Sequence, residues 1–431
     1  MRTFIHRTIA VVLFWLCRAV LAQPAELSVV SIDNADMQEL RRLSTHFERD
    51  NPSLRLRWIM LDEHELRQRL QVEMDDGGTR FDVVTAGAYE VQSWARKGRL
   101  SPFSELPAAY EAHDLIDDVR RPLTQDGKLQ ALPFYAEGVL TYFRADLFRR
   151  KGLVMPAQPT WDDLERLAAA LHDPAAGIAG ICLRGRAGWG GNVMLLSAMA
   201  RARGARWVDE HGRPRLNSQK WKDSVAQYAG LLRDYGPKQA LELGFRGNLE
   251  LFSAGRCGIW VDASAAAGTL QQAMTERRAL GVAPAPVTAD GRQMSWHWVW
   301  ALAVPQASRH AAAAKRFAAW ASSREYIELV ARERGWAMAP PGTRMSTYAQ
   351  AQYRKAAPFA DLALDAVRRH ALLRGADSDA HFIATPEFLP IAALTGQAVA
   401  VAVAGKMSAA TAMELAQLRA ERVLRQSGRL P

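Results

Sequence analysis

The sequence predicts an α/β protein whose sheets are mainly parallel and flanked by helices. Two observations lead there. Strand-like and helix-like segments alternate as β-α-β-α-β-α over residues 27–97, and a second alternating run starts after residue 135. The composition adds a third. With 431 residues, 49% of them apolar and 23% charged, the chain has the balance of a soluble globular protein and enough length for two or three domains of roughly 150 residues.

The elements follow from local pattern. Leu27 to Ser31 is a strand; Met37, Leu40, Leu43 and Phe47 fall at helical spacing, and Asn51-Pro52 stops that helix. Leu54, Leu56, Trp58 and Met60 alternate as in a strand, Leu66, Leu70 and Met74 mark a second helix ended by Gly77-Gly78, and Phe81 to Thr85 is a short buried strand. A third helix over residues 91–97 ends at Gly98. Such an order implies a parallel sheet with crossover helices, whose ligands bind beyond the carboxyl ends of the strands. That places residues 31–33 and 85–90 at a candidate site.

In the second run, Thr160 and Asp163 form a reciprocal cap for a helix reaching Leu171. Residues 177–191 are Gly-rich and loop-like, with a β-like run at 180–183. Helical patterns return at 194–203 and 221–235, short strands at 256–261 and 280–283, a strand at 296–304 and an Ala-rich helix at 311–321. Residues 391–404 are apolar but interrupted by Thr395 and Gln397, which reads as a buried helix rather than a membrane span.

The first 22 residues read as an export signal: Arg2, His6 and Arg7, then an apolar run over 9–17, then Val20-Leu21-Ala22, with cleavage after Ala22. Arg18 weakens this signal and leaves an uncleaved membrane tether as the alternative. Leu16 makes Cys17 a poor lipid-attachment site. The leader carries three arginines and no acid, so the net charge of +10 falls to +7 on processing. The basic residues are spread along the chain beside acids, which argues against nucleic acid. Cys182 and Cys257 remain, in two β-like runs. They could be oxidised after export, but two buried free thiols is the preferred reading.

GxSxG, HExxH and P-loop signatures are absent, no Cys/His spacing suits zinc, and no cofactor is implied. Present instead are aromatics and carboxylates near strand ends. Trp296, Trp298 and Trp300 alternate and share one face of a strand, either lining a cleft or forming a Trp-rich core face. Glu137 and Asp262 sit in apolar surroundings. They read either as acceptors for the hydroxyls of a polyol or as capped or salt-bridged acids. Arg184 could donate to such hydroxyls, and Arg186 reads as a solvated surface residue.

Ordered marks through the chain resemble the periplasmic solute-binding proteins of ABC importers (extracellular solute-binding protein family 1), in their mannitol/sorbitol-binding branch. The marks are the stretches at 81–91, 131–137, 180–185, 188–190, 257–263, 296–305, 335–337 and 340–344. The resemblance implies a two-lobed periplasmic-binding-protein fold with a hinge crossed three times, near residues 136–139, 283–287 and 321–324. Residues 23–136 plus 286–321 would form the first lobe and 137–285 plus 322–431 the second. It implies a sugar alcohol held between closing lobes by Tyr89, Glu90, Tyr135, Glu137, Arg184, Trp189, Asp262, Trp296, Trp298, Trp300 and Trp336. It also implies a periplasmic monomer that serves membrane permease and ATPase subunits, without catalysis. One departure is the segment 368–381, shorter and more basic than expected and without an aromatic, which would suit a relative of mannitol. A secreted carbohydrate-active enzyme pairing Glu137 with Asp262, and a ligand sensor on the same fold, are the alternatives.

Overall fold

The computed structural model describes residues 24–77, 80–274, 279–372 and 385–430. The leader, and the 368–381 segment beyond residue 372, lie outside the described residues. Strands β1 (Ala25–Ile32), β2 (Leu54–Leu61) and β3 (Val83–Gly87) alternate with helices Ala35–Asp50 and Glu63–Asp75, and β1 pairs in parallel with both β2 and β3. The local signals act as expected. The Asn34 side chain accepts the Met37 N–H at 2.9 Å to cap the first helix, and Asn51 closes it. β2 is the sheet edge, so only its first residue, Leu54, is fully buried and the strand alternates.

A two-residue hairpin, β4 (Thr124–Gln125) and β5 (Lys128–Leu129), precedes β6 (Ala131–Glu137). The remaining strands are β7 (Val139–Arg144), β8 (Ala179–Cys182), β9 (Cys257–Ala263), β10 (Leu280–Pro284) and β11 (Trp298–Ala303). They complete two sheets, ordered β2-β1-β3-β11-β6 and β10-β7-β9-β8. In the first, only β11 runs against its neighbours. In the second, β8 and β9 are parallel and β7 opposes both β9 and β10. In each sheet all strands but one run the same way, yet the pairings are mixed: two of four are parallel in the first sheet and one of three in the second, because β11 and β7 are each inserted against their neighbours. The Thr160–Asp163 capping box is formed, and the apolar helix Phe388–Val403 is buried, its Thr395 hydroxyl returned to the Ile391 carbonyl at 2.8 Å. No described helix is long and apolar enough to cross a membrane.

Several details differ from expectation. The Gly-rich stretch holds the expected strand, β8, but also a wide helical turn at Trp189–Val193. β11 begins at Trp298, so Trp296 lies in the segment before it. Gly138, between β6 and β7, is where the chain first passes from one sheet to the other. After β10, however, Val287 bridges to Thr160 and to Gln293, which keeps the chain on the second sheet's side to about residue 294. Helix Arg324–Arg334, counted above with the second lobe, packs on the first. Tyr326 lies 5.7 Å from Phe134 and 5.3 Å from Trp320, and Arg334 pairs with Glu39 at 3.3 Å. On these contacts we propose the second crossing near residues 295–297 and the third beyond residue 346, since Arg344 still donates to the Tyr110 carbonyl and the Ser346 N–H to Asp114.

Cys182 and Cys257 are joined by a disulfide, which corrects the free-thiol reading. Neighbouring strands β8 and β9 carry the two residues, and an exported chain can oxidise them. The chain from residue 23 onward, denatured without reductant, should therefore take up no thiol-alkylating reagent by mass spectrometry, and two equivalents after reduction. Alkylation of both cysteines before reduction would contradict the bond.

Candidate functional site

The two sheets present matching edges to each other. The carboxyl ends of β1, β3 and β6 meet the start of β11, where Trp298 pairs with Glu137 and Trp300 with Gly87. Opposite them stand the carboxyl ends of β8, β9 and β10 and the start of β7, with Val139 paired to Ala263 and Leu140 to Pro284. The cleft between them is where the sequence places a ligand. Contacts bridge it: Trp189 meets Trp298 edge-on at 6.2 Å, and Arg186 and Arg246 reach Asp62 and Asp33 at 3.3 and 3.7 Å.

Aromatic rings wall this cleft. Trp298 and Trp300 lie 6.0 Å apart, and the Arg67 guanidinium sits 5.2 Å from each ring. Arg67 is held in turn by Glu63, at 3.0 Å, and by Glu90. Trp298 can lie over the end of β3 only because residue 87 is glycine: a Cβ there would stand 2.0 Å from its Cζ2. On the other side Trp189 packs edge-on against Phe388 at 4.8 Å, and Phe388 meets Trp207 at 5.3 Å and Tyr89 at 5.7 Å. The Tyr89 hydroxyl donates to the Thr385 carbonyl at 2.7 Å.

Arg184 and Asp262 form a buried pair. Arg184 Nη2 reaches Oδ1 at 2.6 Å and Nε lies 3.0–3.1 Å from both oxygens, while Nη1 donates to the Gly190 carbonyl at 2.8 Å. Asp262 also accepts from Trp260 Nε1 at 3.1 Å and from the Ala263 N–H at 2.7 Å. Of the two readings left open for Asp262, the structure shows the salt-bridged acid. It is fully buried, its oxygens are taken, and it aims Arg184. Burial works against the Arg184 charge, but the Asp262 charge and hydrogen bonds outweigh it and raise its pKa. The guanidinium faces Trp296 at 5.9 Å and Phe245 at 5.2 Å. Trp296 Nε1 is buried with no partner among the described residues.

Glu137 ends β6 at the floor of the cleft, only 6% exposed, and its carboxyl has no hydrogen-bond partner among the described residues. Burial raises its pKa well above the usual carboxylate range. Arg184 opposes the rise, and Asp262, Glu63 and Asp36 add to it. Asp36, half-buried in the first turn of helix Ala35–Asp50, is pushed up to about 7, chiefly by burial, with Glu39 adding. Tyr135 accepts from Asn34 Nδ2 at 2.9 Å, and burial raises its pKa too.

The structure thus brings Glu90, Tyr135, Glu137, Arg184, Trp189, Asp262, Trp296, Trp298 and Trp300 to the facing sheet edges, with Tyr89 in the aromatic wall. Glu90 reaches the site through Arg67 rather than as a free acceptor. Trp336 lies in the short turn Trp336–Met338, half-buried against the core and without a ring contact to these residues among those described; Met338 of the same turn shares a groove with Asp36. Sequence reasoning missed Arg67, Glu63, Asp36 and Phe388. Arg186 reaches Asp62 but is exposed, as expected. No described group of three or more His, Cys, Asp or Glu side chains is arranged to hold a metal.

Residues 32–328 match the family model for bacterial extracellular solute-binding proteins. The chain is 43% identical over 423 residues to a protein of Pseudomonas aeruginosa named mannitol-binding protein, covering 96% of each. It superposes with TM-score 0.90 on a crystal structure of an ABC transporter solute-binding protein from Agrobacterium vitis S4 with bound D-mannitol, at 39% identity over 94% of this chain and 99% of that one. A second solute-binding protein, from Agrobacterium radiobacter K84 in complex with ribitol, shares the fold at TM-score 0.81 and 21% identity, over 93% of this chain and 99% of that one.

Two outcomes follow from the geometry. Asp262→Ala strands a buried guanidinium and should cost about 3–5 kcal/mol in denaturant unfolding; a folded variant losing under about 1 kcal/mol would show that Arg184 finds water or another acid. Asp36 has a folded pKa above its ordinary 3.8, so its contribution to stability is full below that value and is lost as pH rises through about 7. Asp36→Asn should flatten the corresponding fall in melting temperature, and an unchanged slope would assign the fall to other groups.

Proposed function

The chain belongs to the family of bacterial extracellular solute-binding proteins, and from that premise we propose that it captures a sugar alcohol between its lobes for an ABC importer. Mannitol, or a close relative such as sorbitol, is the ligand, and the membrane permease with its ATPase subunits is the recipient. The protein works in the periplasm as a monomer.

The observation that carries this reading is the unpartnered Glu137 carboxyl on a cleft floor walled by Trp189 and Trp298. Indole faces cover the C–H surface of a polyol and still offer N–H donors. A carboxyl and a guanidinium supply acceptors and donors for adjacent hydroxyls. Glu137, Arg184, Tyr135, Trp189, Trp296 and Trp298 are the direct contacts in this reading. Asp262 and Glu90 act through Arg184 and Arg67, Trp300 through its edge-on contact with Trp298, and Tyr89 through the aromatic wall. The relative named for mannitol binding, similar over nearly its whole length, supports the ligand class. An enzyme pairing Glu137 with Asp262 finds no support, because both Asp262 oxygens are committed to Arg184, Trp260 and Ala263.

A thermal-shift panel of mannitol, sorbitol, arabitol, xylitol, glucose and maltose tests the reading. At roughly 100 times the dissociation constant the ligand should add about 2.7 kcal/mol, a shift of a few degrees for a chain of this size. The ligand should be recovered unchanged. Absence of a shift with every polyol and sugar would remove the proposal.

A further inference from the structure

Among the described residues Glu137 has no available counterion. The two guanidiniums near the cleft floor are already engaged: Arg67 with Glu63 and Glu90, Arg184 with Asp262 and the Gly190 carbonyl. The groups facing Glu137 are Arg184 beyond β8, Asp262 in β9, Glu63 and Asp36 from the first two helices, Tyr135 on its own strand, Tyr142 in β7 and Trp298 opposite it in β11. Among the described residues, acids outnumber cations in that shell. An ionised Glu137 would be a largely buried charge with no hydrogen bond from the described residues, a state that folded proteins avoid by holding the proton.

We propose that Glu137 acts as a neutral carboxylic acid that donates its proton to one ligand hydroxyl oxygen while accepting from another, and that the acid-rich floor around it restricts the cleft to uncharged polyols. The inference rests on the polyol reading above. Its consequence is selectivity by oxidation state. An alditol terminates in hydroxyls at both ends and fits, whereas an aldonate of the same length would set its carboxylate against Glu63, Asp36 and Asp262. Like charges in such a shell cost affinity. Burial of Glu137 pushes its pKa up, consistent with the neutral form at the pH of the cell surface.

The test is titration calorimetry with D-mannitol and D-mannonate on the full chain, on Glu137→Gln and on Glu137→Ala, at several pH values from about 6 to 9. Gln preserves a neutral donor and acceptor, so Glu137→Gln should bind mannitol within about threefold of the unaltered protein, while Glu137→Ala should lose about tenfold or more. Affinity of the unaltered protein should fall as rising pH ionises Glu137. The fall should persist in Asp36→Asn and vanish in Glu137→Gln. Mannonate should not bind at concentrations that saturate with mannitol. A folded Glu137→Gln that loses as much as Glu137→Ala, an affinity that rises with pH, or mannonate binding as tightly as mannitol would each overturn the inference. Should Glu137→Gln not fold, the pH series and the mannonate comparison on the unaltered protein decide alone. Failure of the unaltered protein to bind any polyol would remove the polyol reading itself, an outcome distinct from failure of the variant.

Discussion

A single residue ties the two sheets together, and the cleft depends on it. Glu137 is the last residue of β6 in one sheet and Val139 the first of β7 in the other. Gly138 between them donates to Ser264 Oγ at 3.1 Å and accepts the Ser264 N–H at 2.7 Å. A Cβ at position 138 would stand 2.6 Å from the Ala366 backbone, so the crossing admits no side chain. With one residue in the link, the carboxyl end of β6 and the start of β7 must face each other. Everything else in the cleft follows from that. Trp298 is set opposite Glu137 by the β11 ladder, and Asp262 opposite Leu140 by the β9 ladder. The other two connections are longer and leave relative motion of the lobes to be resolved there, as in hinge-type closure.

The charges are distributed asymmetrically around this floor. Each arginine is matched before it reaches the cleft. Asp262 spends its whole accepting capacity on Arg184 and its own strand, a costly arrangement to desolvate that positions one guanidinium without freedom. Glu63 and Glu90 do the same for Arg67 beneath the indoles. The outcome is a rigid set of donors and aromatic faces, with the one unmatched carboxyl at the crossing. Rigid, partly satisfied polar groups are what a site needs in order to discriminate, because a ligand lacking the complementary hydroxyl leaves them unpaired.

Much of this was legible in the sequence where the deciding chemistry is local. The Thr160–Asp163 box, the Asn51 stop and the β-α-β alternation each rest on neighbours within a few residues, and each appears in the fold. The marks of the resemblance placed the aromatic and carboxylate residues at the strand ends, where the structure has them. What spacing could not supply is who pairs with whom. Glu137 and Asp262 look alike as isolated acids in apolar runs, and only the approach of Arg184 from β8 separates an anchor from an unpaired carboxyl. Arg67 sits among Leu66 and Leu70 as any helix arginine would, and Asp36 reads as an ordinary first-turn acid; both matter through contacts across elements. Where the later lobe crossings fall depends on contacts of the same kind. Tyr326 joins the first lobe by packing on Phe134, a tertiary contact invisible to periodicity.

The unpaired carboxyl also bears on why closure should require a ligand. In an open cleft, Glu137 and the Trp296 N–H would be hydrated. Bringing the lobes together buries them, and each buried polar group left without a partner costs about 1–3 kcal/mol. Against that stand the ring contacts of Trp189 with Trp298 and of Tyr89 with Phe388, the Tyr89 hydrogen bond to the Thr385 carbonyl, and two rim ion pairs, Arg186–Asp62 and Arg246–Asp33, whose exposed geometry contributes little. A ligand that hydrogen-bonds Glu137 and Trp296 removes the penalty and leaves the gains, which shifts the population toward the closed form by its differential affinity alone. The polar groups at the floor therefore serve both recognition and the coupling of recognition to movement.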